Sequence, residues 1–520
     1  MDAEDDKQER KSKVKLYKLL LVLYKMKLLS PFGLFMLVTA IAKEGTNLMA
    51  LLRFAEKVYP EKIALVDDKP ITFRELYRNS IKIAWFLLRE FQVENGQKVA
   101  FLCRNHSFFI QSLFAVSRLG ADIYFLNTEM SKERCKQLLE QHQFNLLIYD
   151  NELESLLEIS QYEGKKMISS SGDFLETSEG VRLKRTSNSK LILLTGGTTG
   201  KSKLVPHKPS LFNYLNPFLG MITRLNLLQY KSAYIATPIY HGYGIAILLL
   251  FIALGKKVVV TKGFDTRKAC ELIYAEKIEV VTVVPLMLQK MLKHNPEALR
   301  SLKCIASGGA ELNPKLVEET FRKLGEVLYN LYGTSEAGLN IIATPEDLKI
   351  SSTTIGRTIK GVNLTVLDDD KREMKPGSIG QFCIKNSWSM ASRNNSWIET
   401  GDMGYQDFDG LFYICGRMDD MVVSGGENVY PVELEQILIR HPLVEDAAVI
   451  GMKDEKFGQR LKAFVLLDSK ADIQKEDLIE WLRSRAARFQ MPKEIVFIEQ
   501  MPYTPLGKLD KKKLKNHPNC

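Results

Sequence analysis

Short apolar runs alternate along this chain with longer segments whose apolar positions recur every three or four residues. The first pattern predicts buried strands, and the second predicts helices packed by one face. Ile63-Ala-Leu-Val66 reads as a strand. A turn follows at Asp67-Asp68, and Thr72, with Glu75 three places on, forms a capping box for the next helix. Further strands are predicted over 98–103, 121–126 and 144–149, with helices over 106–119 and 132–143 between them. Residues 236–239 look strand-like, and the β-branched runs 256–261 and 278–284 are stronger cases, the second closed by Pro285. Residues 302–307 make one more strand, ending in Gly308-Gly309-Ala310. This alternation predicts an α/β fold with buried sheets, not a repeat or a sandwich. His106 opens an apolar helix face and is expected to be structural.

Segment 169–188, rich in Ser, Gly and charge, reads as an exposed connection. The closing part has helices over 432–439 and 475–487, with strands over 447–450, 461–467 and 494–498. About 100 residues suffice for a separate α+β domain. The expected layout is an N-terminal segment 1–48, a large domain 49–418 and a small domain 419–520.

The first 48 residues have a pattern of their own. Lys11, Lys15, Lys18, Val22 and Lys25 follow a helical stripe, and residues 28–42 carry no charge. That uncharged stretch is shorter than the ~20 residues a membrane span needs, and Pro31 and Gly33 interrupt it. The acidic start, Met1-Asp-Ala-Glu-Asp-Asp6, does not resemble a signal peptide. The expectation is a basic amphipathic helix on an anionic leaflet, followed by an apolar hairpin-like segment. Two alternatives stay open: these residues cover an apolar groove on the chain's own body, or residues 16–42 extend into a span.

Composition narrows the class. A chain of 520 residues with a 45% hydrophobic share can bury large cores. Its seven cysteines are scattered without a CxxC pair, so neither a zinc knuckle nor a disulfide framework is suggested, and a reducing, cytoplasmic setting fits. The formal charge of +10 gathers partly at the ends. No nucleic-acid-binding pattern accompanies it, and negatively charged ligands or anionic lipid account for it as well.

The densest chemistry lies at 191–203. Leu191-Ile-Leu-Leu194 is a strand that runs into Thr195-Gly-Gly-Thr-Thr-Gly-Lys-Ser-Lys203. Glycines let backbone amides converge, while threonine hydroxyls and Lys203 add donors and charge, a combination suited to a polyphosphate. It is not a mononucleotide P-loop. That motif needs a glycine at 195, where Thr195 stands, and a helix directly after, where Pro206 and Pro209 intervene.

The same loop resembles the phosphate-binding signature of the AMP-forming acyl-adenylate superfamily, which includes acyl-CoA synthetases, luciferases and peptide-synthetase adenylation domains. The usual form is Thr-Ser-Gly-Thr-Thr-Gly-x-Pro-Lys, so Gly196 and Ser202 depart from it. Six further motifs follow in the family's order. They are Pro238-Ile-Tyr-His-Gly-Tyr-Gly244, Ser307-Gly-Gly-Ala310, Asn330-Leu-Tyr-Gly-Thr-Ser-Glu336, Thr400-Gly-Asp402, Gly416-Arg-Met-Asp-Asp420 and Gly507-Lys508. The resemblance runs from about residue 50 to the end and is most like a fatty acyl-CoA synthetase.

It implies roles residue by residue. Thr195, Gly196, Gly197, Thr198, Thr199, Gly200 and Lys203 would hold the β- and γ-phosphates of ATP. Glu336, with Thr198, would hold Mg2+, Ser335 would meet the α-phosphate, and Gly333 and Thr334 would belong to the same ATP/AMP-binding turn. Gly309 and Ala310 would line the adenine pocket, and Tyr332 would stack on the base. Asp402 would accept the ribose diol with Arg417 beside it. Tyr240, His241 and Gly308 would border the acyl pocket, with His241 shifting between half-reactions. Lys508 would be a mobile catalytic lysine, Asp419 the hinge, and Ser424, Gly425 and Gly426 the wall of a coenzyme A tunnel.

The implied activity is ATP-dependent conversion of a fatty acid to acyl-AMP, followed by transfer to coenzyme A. A fatty substrate is also suggested by the apolar N-terminus and by the apolar wall over 245–254. Two alternatives stand beside it: transfer to a carrier-protein phosphopantetheine, and a non-catalytic membrane-peripheral protein that binds acyl groups or nucleotides.

Overall fold

The computed structural model describes residues 24, 27, 30–158, 162–169, 183–187, 189–194, 204–207, 215–240, 242–334, 337–386, 397–468, 473–504 and 507–516. Contacts gather the chain into two compact units. One comprises Met1–Thr282, Ala298–Cys304 and Ser387–Met390, and the other comprises Val283–Glu297, Ile305–Asn386 and Ala391–Cys520. The expected joint at Asp419 therefore lies within the second unit.

The first unit opens with helices α1 (Pro31–Glu44) and α2 (Leu48–Val58). The stretch expected to be hairpin-like is one helix. Pro31 stands in its first turn, where no amide hydrogen is needed, and Ser30 caps it by accepting the Gly33 N–H. Gly33 does not break the helix, because glycine is what fits: a Cβ there would lie 1.8 Å from the Lys27 carbonyl oxygen. The Lys11 to Lys25 stripe lies outside the described residues.

Strands β1 (Ile63–Val66) and β2 (Pro70–Thr72) lead to α3 (Phe73–Phe91), capped by the Thr72–Glu75 box as its spacing predicts. Then β3 (Lys98–Leu102), α4 (Ser107–Leu119), β4 (Asp122–Phe125), α5 (Lys132–His142), β5 (Leu146–Tyr149) and β6 (Lys165–Ile168) alternate. Strands β7 (Leu191–Leu194) and β8 (Leu204–His207) complete a six-stranded sheet in the order β6-β5-β3-β4-β7-β8. It is parallel except for β8, which runs antiparallel to β7. Phe101, Phe109 and Phe125 lock α4 onto this sheet with edge-on and tilted contacts, ring centroids 5.4 to 6.4 Å apart.

After α6 (Leu215–Arg224) come β9 (Ser232–Ile235), α7 (Gly242–Ala253), β10 (Lys257–Val260), α8 (Thr266–Ala275) and β11 (Val280–Val283). Strands β11, β9, β10, β1 and β2 lie side by side in that order. Residues 236–239, expected to be strand-like, form a turn instead. Asn105 holds it by donating to the Thr237 carbonyl and accepting the Ile239 N–H. Helix α7 packs against α2, β9 and β10. Its residues Ile247, Leu248, Phe251 and Ile252 are fully buried. The apolar run that suggested a fatty acyl wall is thus explained by core packing.

The second unit holds α9 (Pro285–His294), β12 (Cys304–Gly308), α10 (Pro314–Leu324), β13 (Leu328–Thr334), β14 (Gly338–Ala343), α11 (Pro345–Ile350) and β15 (Arg357–Thr358). An antiparallel sheet follows in the order β16 (Val362–Leu367), β17 (Gly380–Asn386), β18 (Ile398–Gln406) and β19 (Phe412–Arg417). The last sheet is ordered β21 (Glu427–Val429), β20 (Val422–Ser424), β23 (Gly458–Leu467) and β22 (Val444–Asp454), with β24 (Glu494–Phe497) beside β23. Helices α12 (Pro431–Ile439) and α13 (Lys475–Arg483) cover its core, and α14 (Lys511–Lys515) follows. Strand β22 is longer than the predicted 447–450, and α13 ends four residues before the predicted 487.

Candidate functional site

Two neighbouring strands, β18 and β19, place Asp402 and Arg417 directly opposite each other. Gly401 turns the backbone just before Asp402, with φ at +74°, a left-handed conformation that side chains disfavour. Arg417 Nη1 donates to Asp402 Oδ1 at 2.9 Å. From the next sheet, Tyr332 on β13 donates its hydroxyl to Asp402 Oδ2 at 2.6 Å. The Asp402 N–H bonds the Thr400 hydroxyl, which in turn donates to the Phe382 carbonyl. The carboxylate is nearly enclosed while the guanidinium stays 42% exposed, so the pair opens to solvent on the arginine side.

This arrangement leaves Asp402 oriented and still able to accept. Each carboxylate oxygen offers two lone-pair directions, and among the described residues one on each is taken. Burial first, then the Asp402 charge, pushes the Tyr332 phenol well above its usual range, so the proton stays on tyrosine and the bond is donated. A fixed carboxylate with spare acceptor capacity suits a vicinal diol. The sequence suggested Tyr332 only as a stacking ring; its hydroxyl also aims Asp402. Thr400 was missed as a supporting residue, although its place in Thr400-Gly-Asp402 is where a backbone anchor would sit.

Around this trio, glycines permit close backbone approach. A Cβ on Gly333 would lie 2.4 Å from the Gly338 carbonyl oxygen, and one on Gly308 would lie 2.9 Å from that of Leu331. Thr334 accepts the Ala337 N–H, while Ser335 and Glu336 lie outside the described residues. Gly309 has φ at +83° and faces Val284, and Ala310 is half-buried.

Lys508 is exposed on a tight turn. Thr504 N–H donates to the Lys508 carbonyl at 2.7 Å, and the Lys508 N–H donates back to the Thr504 hydroxyl. Gly507 approaches Val284 so closely that a Cβ would lie 2.6 Å from its Cγ2. Val284 is therefore shared: the Lys508 turn packs beside the Gly308-Gly309 turn. Gln436 donates to Glu311 at 2.9 Å, and Lys315 Nζ reaches the His441 and Val444 carbonyls at 2.6 and 2.7 Å. Asp419 is exposed in the short turn Met418–Asp420, and its neighbour Asp420 pairs with Lys511 at 3.0 Å. Ser424 is buried at the end of β20, and Gly425 and Gly426, with φ at +61° and +92°, make the two-residue turn into β21.

In the first unit, Thr195, Gly196, Gly197, Thr198, Thr199, Gly200 and Lys203 lie outside the described residues. Their flanks are described, and 195–203 connects the antiparallel pair β7 and β8. The proposed Mg2+ pair, Glu336 and Thr198, also falls outside the described residues, as does His241. Tyr240 is buried and its hydroxyl meets Thr128 at 3.0 Å and Asn127 at 3.3 Å.

Among the described residues one group has metal-ligand chemistry: Cys103, His106 and Asp150, all buried. Its hydrogen bonds explain it without a metal. His106 Nδ1 accepts the Phe109 N–H at the start of α4, which leaves the proton on Nε2 to donate to Asp150. Burial opposes the Asp150 charge, but bonds from His106, Ser169 and the Arg104 amide outweigh it and bring the carboxyl to about 2. His106 is a structural residue, as its place on an apolar helix face predicts.

Residues 52–392 match the family model described as AMP-binding enzyme, and residues 433–508 match the AMP-binding enzyme C-terminal domain. The 2-succinylbenzoate–CoA ligase of Bacillus velezensis is 28% identical, the alignment covering 88% of this chain and 95% of that protein. The enzyme of the same description from Bacillus thuringiensis subsp. konkukian is 27% identical over the same shares. Among solved structures, o-succinylbenzoate coenzyme A synthetase from Bacillus subtilis, in complex with the acyl-adenylate intermediate, aligns with a TM-score of 0.78 at 25% identity. That match covers 89% of this chain and 97% of the other. The same enzyme is also known with ATP and a magnesium ion, and with AMP.

Proposed function

The chain belongs to the AMP-binding enzyme family, and from that membership we propose that it is an AMP-forming acid–coenzyme A ligase. It joins a carboxylate to the α-phosphate of ATP, releases pyrophosphate, and passes the acyl group from acyl-AMP to the coenzyme A thiol. The observation that carries this reading is the carboxylate of Asp402, held between Tyr332 and Arg417 with acceptor capacity left for the ribose diol.

Attack by a carboxylate on the α-phosphorus of ATP, which breaks the α–β phosphoanhydride bond, calls for charge neutralisation and exclusion of water more than for an acid–base pair. Lys203 and the loop 195–200 would neutralise the β- and γ-phosphates. Thr198 and Glu336 would hold Mg2+, which supplies further charge to the phosphates when bound. Lys508, on a turn packed beside Gly309, would approach the reacting carboxylate and α-phosphate. Its charge would favour the transition state, in which negative charge accumulates. Rotation about Asp419 would then remove Lys508 and bring Ser424, Gly425 and Gly426 to the thiol path. Tyr240, His241 and Gly308 would border the carboxylate's own pocket.

The relatives named as 2-succinylbenzoate–CoA ligases support an aromatic carboxylate of that kind as the substrate. A fatty acid is the second reading. Of its two sequence supports, the 245–254 run belongs to the core, while the apolar N-terminal stretch exposes side chains on α1 that favour it as a place where lipid-borne acids arrive. ATP and coenzyme A as co-substrates favour a cytoplasmic enzyme, working at the inner face of the membrane if the acid is lipid-borne. The deciding assay measures AMP release across 2-succinylbenzoate, benzoates, laurate and palmitate, with and without coenzyme A. Coenzyme A-dependent turnover of an aromatic acid alone supports the first reading, and of laurate or palmitate alone the second. Acyl-AMP that discharges only onto a carrier-protein thiol would contradict the coenzyme A assignment.

A further inference from the structure

Helix α1 is turned inside out relative to an ordinary surface helix. Four of its large apolar side chains point outward: Phe32, Leu34, Phe35 and Val38 are 56%, 55%, 61% and 57% exposed, while Met36, Leu37 and Ile41 are half-buried. The residues it buries are Gly33, Ala40 and Glu44. At helical spacing the exposed set, joined by Pro31, Thr39 and Ala42, covers one continuous side opposite the buried set. A helix that served only the protein's own core would reverse this placement. Cover of an internal groove, one of the readings open from sequence, is therefore not what these four side chains do.

The helix is nevertheless firmly seated. Glu44 at its end pairs with Arg118 at 2.6 Å, with both side chains almost wholly buried, and accepts the Tyr77 hydroxyl at 2.8 Å. Gly45 and Asn47 continue the attachment through the Thr186 backbone. The apolar side is thus held in place and displayed.

We propose that this side of α1 inserts shallowly into an anionic lipid bilayer. The choice of occupant rests on charge complementarity. Directly ahead of the helix, residues 7–27 carry eight lysines and arginines against Glu9 alone, and Lys27 is exposed at its threshold. An uncharged apolar surface preceded in the sequence by a cationic stretch fits acyl chains below anionic headgroups. The helix has 14 residues, about 21 Å, too short to cross the ~30 Å hydrocarbon layer, so it lies in the interface. None of the described helices is long and apolar enough to cross a membrane. The inference extends the membrane-adjacent location considered above, and its readout needs no substrate, so it stands or falls apart from the ligase chemistry.

The test is co-sedimentation of the full chain with phosphatidylcholine vesicles, with and without phosphatidylglycerol. The variant carries Phe32→Gln, Leu34→Gln, Phe35→Gln and Val38→Gln together. The expected result is binding to the anionic vesicles only, weakened by salt, and lowered about 10-fold or more by the variant. The thermal transition of the variant should match the parent, because the four side chains are exposed. Single Phe35→Gln, with a smaller loss, serves if the quadruple variant fails to fold. Equal vesicle binding by parent and variant would overturn the proposal. So would no binding by the parent, or a parent dimer in sedimentation that the variant converts to monomer, since the occupant would then be a second copy.

Discussion

Tyr332 gives its phenolic hydrogen to Asp402 Oδ2 at 2.6 Å, and so one carboxylate oxygen is aimed before any nucleotide arrives. Removing the acceptor should cost more than removing the aiming group. Asp402→Asn is expected to lower kcat/KM for ATP by about 10²-fold, and Tyr332→Phe to raise KM for ATP only about 3- to 10-fold. Carboxylate-dependent exchange of pyrophosphate into ATP measures both. Equal effects would show that the hydroxyl does more than orient Asp402.

Lys508 sits on the turn that shares Val284 with Gly309, beside the proposed adenine turn. Lys508→Ala should reduce acyl-AMP formation by about 10²-fold or more, about 2.7 kcal/mol of transition-state stabilisation. Thioester formation from supplied acyl-AMP should be nearly intact. Parallel loss in both half-reactions would remove its separate role.

Asp419 occupies an exposed short turn, and the proposed rotation would change its φ. Asp419→Pro fixes that angle. One half-reaction should survive, measured separately with ATP or with acyl-AMP, while the overall thioester rate collapses. An unaffected overall rate would put the joint elsewhere.

Glu435, buried on α12, accepts the Val449 N–H. Burial pushes its carboxyl up to about 8, helped by the charges of Glu311 and Asp446 and opposed by Lys511. The unfolded chain ionises this group near 4.5, so between roughly 4.5 and 8 the folded state holds more protons. Stability from this group is therefore present at low pH and is lost as pH rises through that window. Glu435→Gln keeps an acceptor without a charge. Calorimetry should show the variant clearly more stable than the parent at pH 8, with a higher Tm, and much less changed at pH 5. The same shift at both pH values would contradict the assignment.

What the sequence made legible follows from how local each cause is. The Thr72–Glu75 box and the β-branched strand around Val281 depend on near neighbours, and both stand where periodicity predicts. The motif order also foresaw Asp402 beside Arg417, which cross-strand register delivers. The bond from Tyr332 to Asp402 was not legible, because it joins positions 70 residues apart on different sheets. The apolar run 245–254, read as an acyl wall, is core, and the reason is general. Hydrophobicity does not say which side is covered: 245–254 lies in the core, whereas Phe32, Leu34, Phe35 and Val38 are exposed.

The central claim is a two-step ligase with an acyl-adenylate between the steps. A single-turnover experiment with ATP labelled at the α-phosphate, quenched in time, tests it most directly. With an accepted carboxylate and no coenzyme A, labelled acyl-AMP should accumulate to about one equivalent of enzyme. On adding coenzyme A it should convert to AMP in step with thioester. Carboxylate-independent AMP, or ADP as the labelled product, would contradict the account.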